Sequence, residues 1–105
     1  MVLEGIGRAR IQGNRLALAE LLRLRGMVMA RRRRWDEAEE AFEEAVSVAR
    51  SIRYPYARAR TLYEWGLMYV RRQDTEQGLT LLMEATETFR SLGSRPYSDM
   101  AQNAL

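Results

Sequence analysis

Cysteine and histidine are both absent from this sequence of 105 residues. Their absence excludes disulfide bonds, thiolate nucleophiles, imidazole bases and zinc sites of the usual ligand set. No apolar run approaches the roughly 18 residues that a membrane-spanning helix needs. The start, Met-Val-Leu-Glu-Gly, has neither the basic flank nor the cleavage site of a signal peptide. We therefore expect a cytoplasmic protein that is not an enzyme and has no catalytic residue, no metal ligand, no membrane contact and no cofactor.

Lysine is also absent, so all 17 basic residues are arginine, against 14 acidic residues and a net charge of +3. The run from Arg31 to Arg34 could contact phosphates. The acidic residues between Asp36 and Glu44 follow at once and would repel a nucleic-acid backbone, which argues against a nucleic-acid partner. Helical spacing predicts that the acidic side chains form a solvated face of one helix. These side chains are Glu39, Glu40, Glu43 and Glu44.

Two stretches of the sequence repeat, since residues 22–50 align with residues 62–90 at a shift of forty positions. Small residues align with small ones and large residues with large ones. The aligned pairs are Gly26 with Gly66, Met29 with Tyr69, Ala38 with Gly78, Phe42 with Leu82, and Ala45 with Ala85. Because helix backbones approach closely only where a small side chain faces a large one, this pattern predicts two antiparallel helix pairs.

Apolar spacing and helix-break signals predict an all-α domain covering 1–105. Four of the expected helices cover 2–12, 15–33, 55–73 and 97–104. The third helix should be capped by Asp36 and run to 51, and the fifth should be capped by Asp74 or Thr75 and run to 92. Asn14 should cap the second helix, and Pro55 should start the fourth, which we expect to be the most buried. We expect 14–53 and 54–93 to be the two repeats. Flanking helices at 1–12 and 96–105 would then belong to neighbouring repeat units.

The repeated residues carry a family resemblance. Residues 26–45 contain G-x-x-M-A followed by W-D-E-A-x-x-x-F-x-x-A, and residues 66–85 contain G-x-x-Y followed by G-x-x-x-L-x-x-A. This pattern resembles the tetratricopeptide repeat over residues 19–99. The resemblance implies helix pairs stacked as a short right-handed superhelical solenoid.

The period of forty differs from the usual 34 of that family. It resembles the long-period repeats attached to bacterial signalling ATPases and transcriptional activators, and it implies a second helix longer than in the 34-residue form. Armadillo-type repeats also have a period near forty, so they remain the alternative.

The resemblance further implies a partner-binding groove along the first helix of each pair. Matched positions are Glu20, Arg23, Met27, Ala30 and Arg31 in the first repeat, and Arg60, Tyr63, Leu67, Val70 and Arg71 in the second. An apolar floor with an arginine rim fits an amphipathic helix or an extended peptide that carries carboxylates. The asparagine of the chaperone-tail-binding members is missing, so we do not expect that ligand.

Self-association is the second functional hypothesis. Short solenoids leave apolar strips on their terminal helices, and a second copy of the chain could cover them. The strips we expect to be exposed contain Ile6, Ile11, Leu16 and Met100. The sequence thus supports two hypotheses, a protein-binding scaffold or sensor segment of a larger bacterial regulator, and a structural homodimer without a peptide ligand.

Overall fold

Six helices make up the fold. The computed structural model of the chain describes residues 2–93 and 95–105, and these residues contain no strand. The helices are α1 (Val2–Gln12), α2 (Arg15–Arg31), α3 (Trp35–Ser51), α4 (Pro55–Arg71), α5 (Thr75–Ser91) and α6 (Arg95–Asn103). Adjacent helices pack against each other, with the most extensive contacts inside the pairs α2–α3 and α4–α5. The prediction of an all-α stack of helix pairs is confirmed.

The connections between the helices repeat every twenty residues. Each contains one residue in the left-handed region, at Gly13, Arg33, Arg53, Gln73 and Gly93, with φ from 53° to 73°. In the first four connections the residue after it donates its backbone N–H to a carbonyl five positions back, as from Arg34 to Met29 at 2.9 Å. This closure satisfies carbonyls at the helix end. It ends both α2 and α3 after 17 residues, so the two helices of a pair have equal length.

Helix starts agree with only part of the prediction. The side chain of Asn14 accepts the backbone N–H of Ala17 at 3.1 Å, so the expected cap of α2 is confirmed. Asp36 is not a cap, because α3 already begins at Trp35. Asp74 holds the capping position of α5 without a capping bond. Its carboxylate instead accepts the side-chain amide of Gln77 at 2.8 Å.

Other helix bounds also differ from the prediction. Helices α2 and α4 stop at Arg31 and Arg71, two residues earlier than expected, because the left-handed residue of each connection follows two positions later. Arginine and glutamine give no sequence signal for that backbone conformation, unlike glycine. Helix α6 begins at Arg95, two residues before the expected start.

Glycines lie where the helices of a pair come closest. A Cβ atom added to Gly26 in α2 would lie 2.5 Å from two ring carbons of Phe42 in α3. A Cβ atom on Gly66 in α4 would lie 2.9 Å from the Cγ of Leu82 in α5 and 3.2 Å from the carbonyl oxygen of Gly78. Real Cβ atoms essentially never approach other atoms to less than 3.0 Å. The close approach of both pairs therefore depends on a missing side chain.

Helix α4 holds the two repeats together, because it contacts α2, α3 and α5. Among its 17 residues only Arg71 is exposed, so the prediction that this helix is the most buried element is confirmed. Met68 of α4 packs in one cluster with Phe42 of α3, and Leu62 of α4 packs with Phe89 of α5. Two of the buried clusters thus contain residues of both repeats.

Two expectations about surfaces are wrong. Glu39 and Glu44 do not simply face solvent, because Glu39 accepts the hydroxyl of Tyr69, and Glu44 accepts the guanidinium of Arg10 at 2.6 and 2.9 Å. Ile6 is buried against the cluster of Leu18 and Leu22 and is not part of an exposed strip. In each case contacts with a neighbouring helix, which the residue's own segment does not show, decide its environment.

Candidate functional site

The candidate site is the surface that α2 and α4 share, since these first helices of the two pairs contact each other directly. The expected groove residues follow each helix at steps of three or four, so they form one row per helix. We call these two rows together the α2–α4 face. Its half-buried members are Met27, Ala30, Arg60, Tyr63 and Leu67. Val70 was also expected here, but its side chain packs at the α4–α5 crossing, where a Cβ atom on Gly78 would lie 2.6 Å from its Cγ2. Glu20, Arg31 and Arg71 are exposed.

The middle of the α2–α4 face is apolar and bridges the repeats. Met27 and Ala30 of α2 pack against the buried cluster that contains Met68 and Tyr69 of α4. Tyr63 packs against the cluster that contains Leu62 and Ala101, and Ala101 belongs to α6. The helix that follows the second repeat therefore packs beneath the same surface.

Arg23 lies in the floor of this face and not at its rim, with only 9% of its surface exposed. Its guanidinium lies 3.6 Å from the carboxylate of Glu20 and 4.0 Å from the sulfur of Met27. Burial lowers the pKa of Arg23, and the nearby positive charge of Arg60 lowers it further. Two guanidinium groups, one from each repeat, thus lie near each other at the end of the face where the two rows begin.

Arg60 is held by aromatic side chains of α4 and α6. Its guanidinium carbon lies 5.3 Å from the centre of the Tyr97 ring, and that ring meets Tyr56 edge-on at a centroid distance of 5.4 Å. The Nε atom of Arg60 is buried, and it has no hydrogen-bond partner among the described residues. An unpaired buried N–H is costly unless an acceptor reaches it.

The exposed end of the α2–α4 face opens into a cavity of about 490 Å³. Arg31 and Arg71 line it together with side chains of the two following connections, and we call it the arginine cavity. Its lining residues are Ala30, Arg31, Arg33, Trp35, Met68, Arg71, Arg72 and Gln73. The expected arginine rim is therefore divided, with Arg23 and Arg60 near one end of the face and Arg31 and Arg71 at the other.

The repeat-packing residues lie in the core. Ala38, Phe42, Ala45, Leu82 and Ala85 are completely buried, and they set how closely the helices of each pair approach. None of them lines the arginine cavity. Substitutions at these positions should therefore act on stability, and substitutions on the α2–α4 face should act on binding.

Several residues of the site were not predicted. Tyr56 and Tyr97 surround Arg60, and Trp35 and Arg72 build one wall of the arginine cavity, where the guanidinium carbon of Arg72 lies 5.0 Å from the centre of a Trp35 ring. A signal existed for the tyrosines, since each lies near a proline at the start of a helix. The contact between Trp35 and Arg72 joins residues from two repeats, so neither segment by itself contains a sequence pattern that predicts it.

The described residues, 2–93 and 95–105, contain no group of three or more side chains suited to hold a metal ion. In the same part of the chain no helix is both long enough and apolar enough to cross a membrane.

The fold and the shared face define a class of protein, the helical-repeat solenoid built from antiparallel helix pairs. Within that class, residues 19–51 match the family model of the tetratricopeptide repeat. The segment contains most of α2 and all of α3, so the chain carries a tetratricopeptide repeat in its first helix pair. No curated protein and no solved structure matches the chain. The repeat suggests a protein–protein interaction module of a typically non-catalytic family.

Proposed function

We propose that the chain binds an amphipathic helix or an extended peptide of a protein partner along the α2–α4 face. The half-buried strip of Met27, Tyr63 and Leu67 carries the proposal, because it runs across two packed repeats and stays accessible. Partly exposed apolar side chains on adjacent helices are the usual anchor sites for such ligands. The tetratricopeptide match of residues 19–51 supports the same function. The module would serve as a scaffold or sensor segment in the cytoplasm, within a larger bacterial regulator.

We further propose that the partner places a carboxylate between Arg23 and Arg60. The two cations repel each other, and the only carboxylate within 4.0 Å of either, among the described residues, is that of Glu20 at 3.6 Å. A partner carboxylate would neutralise this pair. Charge-assisted bonds of this kind are roughly twice as strong as neutral ones.

Peptides selected from a random displayed library on the immobilised chain would test the apolar strip. Tyr63→Ala and Leu67→Ala should each weaken binding of a selected peptide about tenfold, as expected for a buried anchor residue. Met83→Ala is the matched control, because Met83 is 60% exposed on α5 and lies outside the face. A peptide that loses affinity in the control variant but not in the two face variants would refute this binding site.

The carboxylate requires a separate comparison. Arg60→Gln should weaken a selected peptide that contains acidic residues, and it should change little for the same peptide with those residues replaced by their amides. Equal losses for both peptides would show that Arg60 acts through packing on Tyr97 and not through a charge. Melting curves of each variant would show that the fold persists.

Self-association is the second candidate, favoured by exposed apolar side chains near the first helix. Ile11 is 88% exposed, Leu3 61% and Leu16 45%, which is unusual for side chains of this size. Met100 is half-buried in α6 and contributes less than expected. A homodimer would show a mass by light scattering that falls on dilution, and Ile11→Glu should then give a monomer. A monomeric mass at every concentration would exclude this candidate.

A further inference from the structure

The arginine cavity gathers four cations from the two repeats. Arg31 and Arg33 come from the end of α2 and its connection, while Arg71 and Arg72 come from the equivalent positions after α4. We propose that the cavity binds a small anion with two or more linked phosphate groups, such as pyrophosphate or the diphosphate of a nucleotide. The cavity shares Ala30, Arg31 and Arg71 with the α2–α4 face, but Arg33, Arg72 and Trp35 lie outside that face, so substitutions at these three residues test the cavity separately from peptide binding.

The charges around the cavity are unbalanced. None of its four arginines lies within 4.0 Å of a carboxylate in the described part of the chain, whereas the neighbouring Arg34 pairs with Glu37 at 2.5 Å. The carboxyl ends of α2 and α4 point to the same region and each carries about half a negative charge. Roughly three positive charges therefore remain. One carboxylate would leave most of this charge in place, while a diphosphate would nearly neutralise it.

The nearest acidic groups do not fill the cavity. Asp36 and Glu37 line an adjoining cleft together with Arg33, Arg34 and Arg72. Glu37 is shared between Arg34 and Arg25, the latter at 3.6 Å. Glu39 accepts the hydroxyl of Tyr69, the residue that lies near Arg72. Asp36 belongs to the adjoining cleft, and Asp74, which follows Gln73, accepts the side-chain amide of Gln77 at 2.8 Å.

The walls of the cavity are already in place. Both connections are fixed by backbone bonds, from Arg33 to Ala30 at 3.1 Å and from Gln73 to Val70 at 3.0 Å. The floor contains Met68, which is 1% exposed, and one wall is the indole of Trp35 against Arg72. Ligand pockets usually measure about 300–1,000 Å³, so this cavity has room for a nucleotide-sized molecule. Its apolar wall gives a flat ring a surface on which to stack.

Titration calorimetry on the full chain tests the proposal, with inorganic pyrophosphate, adenosine diphosphate and citrate as probes. We expect pyrophosphate to bind, and Arg72→Gln and Arg33→Gln each to weaken it at least about tenfold, the loss expected for one charge-assisted contact. Arg53→Gln is the matched control, because Arg53 has the same left-handed backbone, with φ 53°, in the connection between α3 and α4. That variant should bind as tightly as the original chain.

The probes also separate the sources of the phosphate. If adenosine diphosphate binds more tightly than pyrophosphate and Trp35→Leu removes this difference, the result would support a nucleotide as the ligand. Equal binding of the two probes would support a free diphosphate. Citrate bound as tightly as pyrophosphate would overturn the proposal, since any polyanion would then do. Absence of pyrophosphate binding, or equal losses in the Arg53 and Arg72 variants, would overturn it as well. So would a short DNA duplex that binds more tightly than either phosphate probe and competes with both.

Discussion

Gly26→Ala should destabilise the fold, although alanine is the better helix former. The added Cβ would lie 2.5 Å from two ring carbons of Phe42, whereas carbon atoms in contact prefer about 3.5–4.0 Å. Phe42 is completely buried and stacks on Trp65 at a centroid distance of 6.3 Å, so its ring cannot move away freely. Overpacking of this kind costs about 1–3 kcal/mol. The gain in helix propensity returns about 1 kcal/mol. The difference between these two terms is about 0–2 kcal/mol. Because the ring of Phe42 is confined, we expect the free energy of unfolding to fall by about 1–2 kcal/mol, in the upper half of that range.

Gly7→Ala is the matched control for this substitution. Gly7 also lies inside a helix, but it is exposed, and an added Cβ would meet nothing within 4 Å. The same chemical change should therefore raise stability by about 1 kcal/mol at that position. Urea unfolding followed by far-UV circular dichroism and by tryptophan fluorescence would give both values.

Phe42→Leu tests whether contact with the Phe42 ring causes the loss of stability in Gly26→Ala, because the second repeat already pairs its glycine with Leu82. Alone, it should destabilise by leaving a cavity, but combined with Gly26→Ala it should cost less than the sum of the two single changes. The reasoning is refuted if Gly26→Ala stabilises the chain as much as Gly7→Ala does, or if the two substitutions at the contact are simply additive.

Arg33→Gly should raise stability by about 0.5–1 kcal/mol by relieving left-handed strain, and Gly13→Ala at the equivalent position should lower it by a similar amount, both measured by urea unfolding. The hydrogen bond from Arg10 holds the pKa of Glu44 below its ordinary value. The pair therefore stabilises the fold at pH values above the glutamate pKa of the unfolded chain, about 4.3, and this stabilisation is lost as the pH falls through the lower pKa of the folded chain. Glu44→Gln should therefore cost about 0.2–1 kcal/mol at neutral pH and nothing in acid; an equal cost at both would contradict this cause. Burial, together with Glu39, raises the pKa of Tyr69 to about 12, so its contribution is complete below the unfolded value of about 10 and is lost as pH rises toward 12. Unfolding of Tyr69→Phe at several alkaline pH values should lack that loss, and a pH dependence identical to that of the original chain would contradict it.

Much of the fold could be predicted because it rests on local signals. The apolar spacing of each helix, Asn14 as a cap, and Pro55 as a first residue are readable within a few positions. The close crossings could be inferred because glycine recurs after exactly one repeat, at 26 and 66. The helix ends were misjudged because Arg33 and Gln73 adopt a conformation that their side chains do not favour.

The candidate site was less predictable, because it depends on how the helices are rotated and stacked. The family resemblance placed Arg23 in the same groove as Arg31, yet packing buries the first and leaves the second exposed at the cavity. The contact of Arg60 with Tyr97 requires α6 to fold back onto α4, which no local pattern indicates. Interactions between neighbouring repeats therefore could not be predicted from the sequence.

The α2–α4 face as the binding surface is most directly tested by backbone amide chemical-shift mapping with a selected peptide. Our account predicts that the largest shifts follow Met27, Tyr63 and Leu67 along α2 and α4, while residues around Met83 on α5 stay unchanged. Shifts concentrated on the exposed sides of α3 and α5, with α2 and α4 unaffected, would contradict it.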